Sequence, residues 1–236
     1  MEQLELTPSC QPGNVVWKPT RALPPSVRAF GKFIATQNLM PGDLMLSREI
    51  TPDRVSKMIV DVQMAGGYDE LDARWTHVAM YVGDDQHIVE ATFDSVSSGG
   101  DVRLTRLDDY CGHHALRFRR SRHLQSERER WLLVVRAMTR IKMPYGLAEA
   151  ARMWIDVKWK GKGFWSEAQK APAQSAVICS TLYADAYNEA TRRSLGEVNG
   201  ACVPAWLSLS DEFEDVASEW TSIWRPPSLK VAQPSV

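Results

Sequence analysis

Trp75-Thr76-His77-Val78-Ala79-Met80-Tyr81-Val82-Gly83-Asp84-Asp85-Gln86-His87-Ile88-Val89-Glu90-Ala91-Thr92-Phe93 is the stretch that decides how this chain folds. Residues 76–82 alternate and are rich in β-formers, Gly83 to Gln86 carries turn chemistry, and His87 to Phe93 is a returning strand. One residue sits badly in that hairpin. Glu90 is an acid inside an apolar strand, and an unpaired buried carboxylate is costly. Register supplies a partner. If residues 83–86 form a four-residue loop, Val82 faces His87, Ala79 faces Glu90 and His77 faces Thr92. His77 and Glu90 then share one face as diagonal neighbours, roughly 7–8 Å apart at the backbone, a gap that two long side chains can close. A one-residue slip would send Glu90 to the other face, and an edge-strand carboxylate in water is the alternative reading.

Around this hairpin the first half of the chain is β-rich. Pro8, Pro12, Pro19, Pro24 and Pro25 mark residues 1–25 as an extended arm. Ser26 to Gln37 reads as a short helix, Pro41-Gly42-Asp43 as a turn, and Leu44-Met45-Leu46 as a strand. Thr51 to Ala65 has Val55, Met58, Ile59 and Val62 at helical spacing, and Gly66-Gly67 ends it. Val102-Arg103-Leu104 and Ala115-Leu116-Arg117-Phe118 are further strands. The pattern then changes. Ser126 to Lys142 puts Trp131, Val134, Val135, Met138 and Ile141 on one helical face, and Met143-Pro144-Tyr145-Gly146 breaks it. Helices are expected over Ala148–Trp159 and Ser175–Arg193, with a loop over Lys158–Gly163 between them. Pro226, Pro227 and Pro234 mark residues 226–236 as a disordered tail. Strands in a block followed by helices in a block predict an α+β fold, with residues 1–225 as one domain.

Composition narrows the function classes. The chain has 236 residues, 44% of them hydrophobic, enough for one sizeable core. A net charge of -1 offers no global field for nucleic acid or an anionic membrane. No apolar run approaches the roughly 18 residues of a membrane span. Met1-Glu2-Gln3-Leu4-Glu5 is acidic and lacks an apolar segment, so a secretory signal is not expected and a cytoplasmic location is the default. Cys10, Cys111, Cys179 and Cys202 are widely spaced, with no C-x-x-C pair, which suggests neither a zinc site nor a disulfide scaffold. His113-His114 with Cys111 lacks a fourth ligand. No glycine-rich phosphate loop is present, and no cofactor or metal is expected.

Cys179 in Val177-Ile178-Cys179-Ser180-Thr181-Leu182 falls at the start of a predicted helix, with Ser175 as N-cap. The partial positive charge of a helix N-terminus favours thiolate over thiol. Taken alone, a lone cysteine reads as a small buried hydrophobe and a strand histidine as a satisfied core residue. Together a thiol, an imidazole able to act as general base, and a carboxylate that fixes the imidazole tautomer are the equipment of a thiol hydrolase. Arg117, Arg119, Arg120 and Arg122 read as a solvated strand end or as an attractor of anionic substrate. Lys158-Trp159-Lys160-Gly161-Lys162-Gly163-Phe164-Trp165 reads as a flap better than as a nucleic-acid strip. Trp206, Trp220 and Trp224 either dock the C-terminal segment or form a partner surface.

The set Pro41-Gly42-Asp43-Leu44, Thr76 to Gly83, Ile88-Val89-Glu90-Ala91, Pro144-Tyr145-Gly146 and Ile178-Cys179-Ser180-Thr181-Leu182 runs from residue 41 to residue 182. It resembles the circularly permuted NlpC-type papain-like cysteine hydrolases, the YiiX-like group that includes the lecithin-retinol acyltransferase relatives. Histidine precedes cysteine here, as the permuted order requires. The resemblance implies an antiparallel β-barrel or sheet followed by the helix that bears the nucleophile. It implies Cys179 as nucleophile, His77 as base and Glu90 as the polar orienter. The Cys179 backbone N–H would donate to the oxyanion, and Thr76 and Tyr145 would line the substrate cleft. It implies a cell-wall peptide (peptidoglycan) substrate, and, with no signal segment, either a cytosolic role or delivery to a rival cell as an antibacterial effector with an immunity or secretion-system partner. An acyl-lipid hydrolase or acyltransferase, and a non-catalytic binding module, are the alternatives.

Overall fold

The computed structural model describes residues 25–95, 99–146, 177–195 and 202–222. Helix α1 (Pro25–Phe30), strand β1 (Lys32–Ile34) and a 3-10 turn (Thr36–Asn38) lead into strand β2 (Leu44–Glu49). Helices α2 (Arg54–Ala65) and α3 (Glu70–Ala73) precede the hairpin strands β3 (His77–Tyr81) and β4 (His87–Ser95). Then come β5 (Gly99–Arg106), a second 3-10 turn (Leu107–Tyr110), β6 (His114–Ser121) and helix α4 (Glu127–Met138). Helix α5 (Cys179–Thr191), helix α6 (Pro204–Leu209), β7 (Phe213–Val216) and β8 (Trp220–Ser222) complete the described chain. The fold is α+β, as the blocks of strand and helix pattern predict.

Six strands form an antiparallel sheet in the order β5-β4-β3-β2-β6-β7, and β1 pairs separately with β8. The β3–β4 register sets Ala79 opposite Glu90, with Val82 N–H bonded to the His87 carbonyl at 3.1 Å. This is the register expected from a four-residue loop. Within the loop, the Asp84 carboxylate accepts from the Gln86 and His87 amides at 3.1 and 2.8 Å. Gly83 adopts φ +98°, and a Cβ there would stand 2.5 Å from the Pro41 ring. Two reasons therefore require glycine at that corner.

Among the described residues the sheet is open, which corrects the expectation of a barrel. Its outer edges are β5 and β7, and the free side of β5 is taken up by the chain at 142–145 instead of by β7. Val102 N–H bonds to the Met143 carbonyl at 2.9 Å and Tyr145 N–H to the Gly100 carbonyl at 2.8 Å. That segment hands on to residue 177, through Gly146 N–H to the Val177 carbonyl and Val177 N–H to the Pro144 carbonyl, both at 3.0 Å. The start of α5 is thereby tied to the sheet edge.

Both faces of the sheet are buried. On one, Leu44, Leu46, Val78, Met80 and Val89 pack with Leu133 and Val134 of α4 and Leu182 and Tyr183 of α5. On the other, Met45, Ala79, Tyr81, Ile88 and Phe118 pack with Leu39, Leu107 and Tyr110. The Pro41-Gly42-Asp43 turn stitches the layers. Asp43 is fully buried and accepts from Arg120 Nε at 2.9 Å, Arg120 Nη2 at 2.7 Å and the Met40 amide at 2.8 Å, with Arg130 Nη1 3.6 Å away.

Several expectations shift. The helix expected over 26–37 stops at Phe30, because Gly31 takes φ 58° and Phe33 and Ile34 are drawn into the ladder with Thr221 and Trp220. Helix α2 starts at its Asp53 cap, and it buries Ser56, Val62 and Gln63 while Val55 and Met58 stay exposed. Gln63 explains the rotation. Its side chain donates to the Ala73 and Trp75 carbonyls at 2.8 and 2.9 Å and accepts from the Ala205 amide at 2.8 Å, which joins α2, the lead into β3, and α6. Helix α4 begins at a Ser126–Glu129 capping box and turns Leu133, Val134 and Ala137 inward, leaving Trp131 and Val135 exposed. Ser175, the helix expected over 148–159, the flap over 158–165, most of the N-terminal arm, Trp224 and the tail lie outside the described residues.

The Asp43 cluster generates a prediction. Asp43→Ala leaves Arg120 and Arg130 without their buried counter-charge and should cost about 3 kcal/mol or more. Urea unfolding monitored by tryptophan fluorescence checks this, with a loss under about 1 kcal/mol counting against an essential role.

Candidate active site

His77 is the first residue of β3, at the sheet end that faces the start of α5. Glu90 lies on the same face, two residues along the ladder, in a strand flanked by both β3 and β5. It is 2% exposed, so the reading of a solvated edge carboxylate falls. Its Oε2 contacts His77 Nε2 at 2.6 Å and accepts from Tyr110 Oη at 2.5 Å, while Thr105 Oγ1 donates to Oε1. Every strong donor on this carboxylate comes from a different element: β3, the 3-10 turn and β5. With Nε2 committed to Glu90, the other edge of the ring is left for the cysteine, whose side chain lines the same cavity and is near enough to help raise the His77 pKa.

Cys179 is the first residue of α5, preceded by Ile178 in extended conformation as the N-cap. Ile178 itself makes no side-chain cap hydrogen bond. Thr181 Oγ1 accepts from the Ile178 amide at 3.1 Å, so the helix caps itself from within. The thiol therefore stands at the point where backbone N–H groups lack intrahelical partners.

Electrostatics follow from these contacts. Burial is the largest influence on His77 and favours the neutral ring, but the hydrogen bonds and charges of Cys179 and Glu90 together outweigh it and raise His77 to about 10. Burial likewise opposes ionisation of Glu90, yet His77, Thr105 and Tyr110 hold it down at about 2. Burial, followed by the Glu90 charge, pushes Tyr110 well above the ordinary phenol value, so Tyr110 stays a donor. The arrangement can thus keep a proton on His77 at neutral pH, between a sulfur and a fixed carboxylate.

A cavity of about 440 Å³ opens over Cys179 and His77. Thr76 and Tyr145 both line it. Thr76 is fixed by its backbone N–H, which donates to the Ser47 carbonyl at 3.1 Å, and the Tyr145 ring packs against Phe93 at 5.8 Å between centroids. Burial, then the Cys179 charge, pushes Tyr145 above the usual phenol range. Sequence reasoning brought the sulfur, imidazole and carboxylate together but missed Tyr110, Thr105 and His114. Tyr110 stacks on His77 at 6.5 Å and packs against His114 at 4.7 Å. Thr105 and Tyr110 carry no local motif; only the β4–β5 register and the turn after it bring them to Glu90.

Other candidates resolve differently. The arginine cluster is not free to attract an anion. Arg117 pairs with Asp215 at 2.8 Å, Arg119 donates to the carbonyls of Leu207, Ser208 and Phe213, Arg120 holds Asp43, and Arg122 lies 3.8 Å from Glu214. These contacts fasten β6 to β7 and α6. Trp206 packs partly buried against the helix-side core and Trp220 against the opposite one.

The fold and site define an α+β protein in which an open antiparallel sheet meets a helix N-terminus at a Cys–His–Glu cluster. Compared with solved structures, this architecture is similar to the crystal structure of the metalloprotein YiiX (DUF1105) from Escherichia coli O157:H7, with TM-score 0.51 and 17% identity over 77% of this chain and 98% of that one. No family model matches the sequence, and no curated protein matches it. Among the described residues, no three His, Cys, Asp or Glu side chains converge to hold a metal ion, and the Glu90 oxygens are already engaged by His77, Thr105 and Tyr110. This donor set does not fit a metal centre. No helix among the described residues is long and apolar enough to cross a membrane.

The His77–Glu90 contact should be visible in stability against pH. His77 is raised from 6.5, so its contribution is complete below pH 6.5 and is lost as pH climbs through about 10. Glu90 is depressed from 4.5, so its contribution is complete above pH 4.5 and is lost as pH falls through about 2. The stability gap between the native protein and Glu90→Gln should therefore be widest between those two ordinary values. Imidazole proton shifts in NMR should show His77 protonated at pH 7, with its midpoint falling in Glu90→Gln. A neutral His77 at pH 7 would contradict the charged pair.

Proposed function

We propose that this protein is a cysteine hydrolase that cleaves an amide bond. One observation carries the reading: the His77 ring, with Nε2 2.6 Å from the buried Glu90 Oε2, lines one cavity with the Cys179 side chain at the start of α5. Attack by the Cys179 sulfur on the scissile carbonyl carbon forms the C–S bond and places negative charge on the carbonyl oxygen. The backbone N–H of Cys179, at the helix start, is aimed to stabilise that charge. Collapse breaks the C–N bond, and the leaving amine takes the proton from His77. A water molecule then gives its proton to the imidazole and displaces the thiol from the thioester. Glu90 accepts the imidazole N–H throughout, and Tyr110 and Thr105 keep Glu90 in place.

The substrate proposed is a cell-wall peptide, on the resemblance to NlpC-type hydrolases. An acyl ester is a second reading, favoured by the apolar cavity wall of Val55, Ile59, Phe93, Tyr145 and Ile178.

Incubation of the native protein and Cys179→Ala with a muropeptide mixture and, separately, with a phospholipid mixture distinguishes these readings. Mass spectrometry should show water added across an amide bond by the native protein alone. Cys179→Ala and His77→Ala should each lower turnover by roughly 10³-fold or more, and Glu90→Gln by roughly 10–100-fold, since it orients and does not attack. Unchanged turnover in Cys179→Ala would sink the assignment, and ester products alone would favour the acyl-lipid reading.

A further inference from the structure

Glu49, Asp53 and Asp94 line the cavity over Cys179, and no lysine or arginine lines it among the described residues. Asp94 is matched by Arg103 at 2.9 Å. Glu49 and Asp53 have no lysine or arginine at ion-pair distance among the described residues, and the base that faces Glu49 is His114, opposite it on the β2–β6 ladder, where burial favours the neutral ring. Each devotes one oxygen to capping α2. Glu49 Oε2 accepts from the Asp53 amide at 2.8 Å and from Ser56 Oγ at 3.1 Å, and Asp53 Oδ1 accepts from the Ser56 amide at 2.7 Å. Glu49 Oε1 and Asp53 Oδ2 take no hydrogen bond within the described residues.

Ser47 supplies an independent sign. It is 0% exposed, it lines the same cavity, and its Oγ has no hydrogen-bond partner. It stands directly opposite His77 on the β2–β3 ladder, on the same face as Glu49 two residues further on. A buried hydroxyl without a partner is costly enough to call for an explanation, and a ligand group supplies one.

Two carboxylate oxygens and a buried hydroxyl oxygen, none of them hydrogen-bonded among the described residues, match one group above others. A primary ammonium has a positive charge and three donors. We propose that the β2–α2 end of the cavity is a subsite for a primary ammonium group on the substrate, close to the scissile carbonyl. Glu49 and Asp53 are its counter-charges, and Ser47 Oγ is its third acceptor. The proposal rests on the hydrolase reading for calling the ligand a substrate. It narrows that reading, because a carboxylate or phosphate at this end of the cavity would meet two like charges.

Methanethiosulfonate reagents test it without any turnover. Each transfers its alkylthio group to the Cys179 thiolate, forming a disulfide and releasing methanesulfinate. Reagents bearing 2-aminoethyl, 2-(trimethylammonio)ethyl and 2-sulfonatoethyl groups are compared by mass spectrometry of the Cys179 peptide, with rates taken relative to the neutral methyl reagent and to N-acetylcysteine. The aminoethyl reagent should outpace the sulfonatoethyl reagent by about tenfold more on the protein than on N-acetylcysteine. The double variant Glu49→Gln/Asp53→Asn, which keeps the capping oxygens, should lose that excess, and Glu49→Asp, which keeps the charge, should retain it. Ser47→Ala should slow the aminoethyl reagent relative to the trimethylammonio reagent, which has the charge but no donors. The proposal is overturned by an equal excess in the double variant, by no excess in the native protein, or by loss of the excess in Glu49→Asp. Labelling needs no hydrolysis, so a failed hydrolase reading would appear in the digestion experiment and not here.

Discussion

The buried Glu90 carboxylate is the constraint on which the site depends. A charge 2% exposed must be met by donors, and here they come from His77 on β3, Thr105 on β5 and Tyr110 on the turn that follows. Meeting it fixes several things at once. The β3–β4 register is held because a slip would move Glu90 to the helix-covered face, where apolar side chains wait. The β4–β5 register is held because Thr105 must reach the same carboxylate. The 3-10 turn is held because Tyr110 must bring its hydroxyl beneath the histidine. What results is an imidazole whose orientation is set by the fold itself.

The Cys179 side is organised by backbone pairing. Residues 142–145 cover the open edge of β5 and pair in turn with Val177, and α5 begins two residues later at Cys179. The helix start is placed by the sheet edge, and the sheet is in turn clamped to the helices through Asp43, Arg120 and Arg130. Tyr183 of α5 donates to the Gly42 carbonyl at 3.0 Å, which ties the helix that carries Cys179 to the same turn. Gln63 performs a similar service at the other end, where it holds the residues leading into His77. The two halves of the site are thus located by independent devices that share one sheet.

Much of this was legible in the chain, for physical reasons that can be named. Period-two alternation with a Gly-Asp-Asp-Gln turn specifies a hairpin and its register, and register specifies who faces whom. An acid in an apolar strand announces its own need for a partner. Helix starts at Ser126 and Asp53 carry their caps in sequence. The apolar stripe of α2 misled, because a polar Gln63 with buried carbonyls to satisfy outweighed Val55 and Met58 in deciding which side faces in. The arginine run could be read as a solvated strand end or as an anion attractor, and local pattern does not decide between them because its partners, Asp215 on β7 for Arg117 and Asp43 for Arg120, lie far away in the chain. Helix α5 begins at Cys179 and is capped by Thr181 from within.

By itself the sequence determined the α+β class, the β3–β4 hairpin, and the grouping of His77 with Glu90, because these rest on local periodicity and turn geometry. Tertiary structure alone decided that the sheet is open, that Thr105 and Tyr110 complete the carboxylate's shell, and that Ser47, Glu49 and Asp53 share a cavity with Cys179. Those outcomes depend on which distant elements meet and on which buried polar atoms must be satisfied when they do, and no local pattern encodes either.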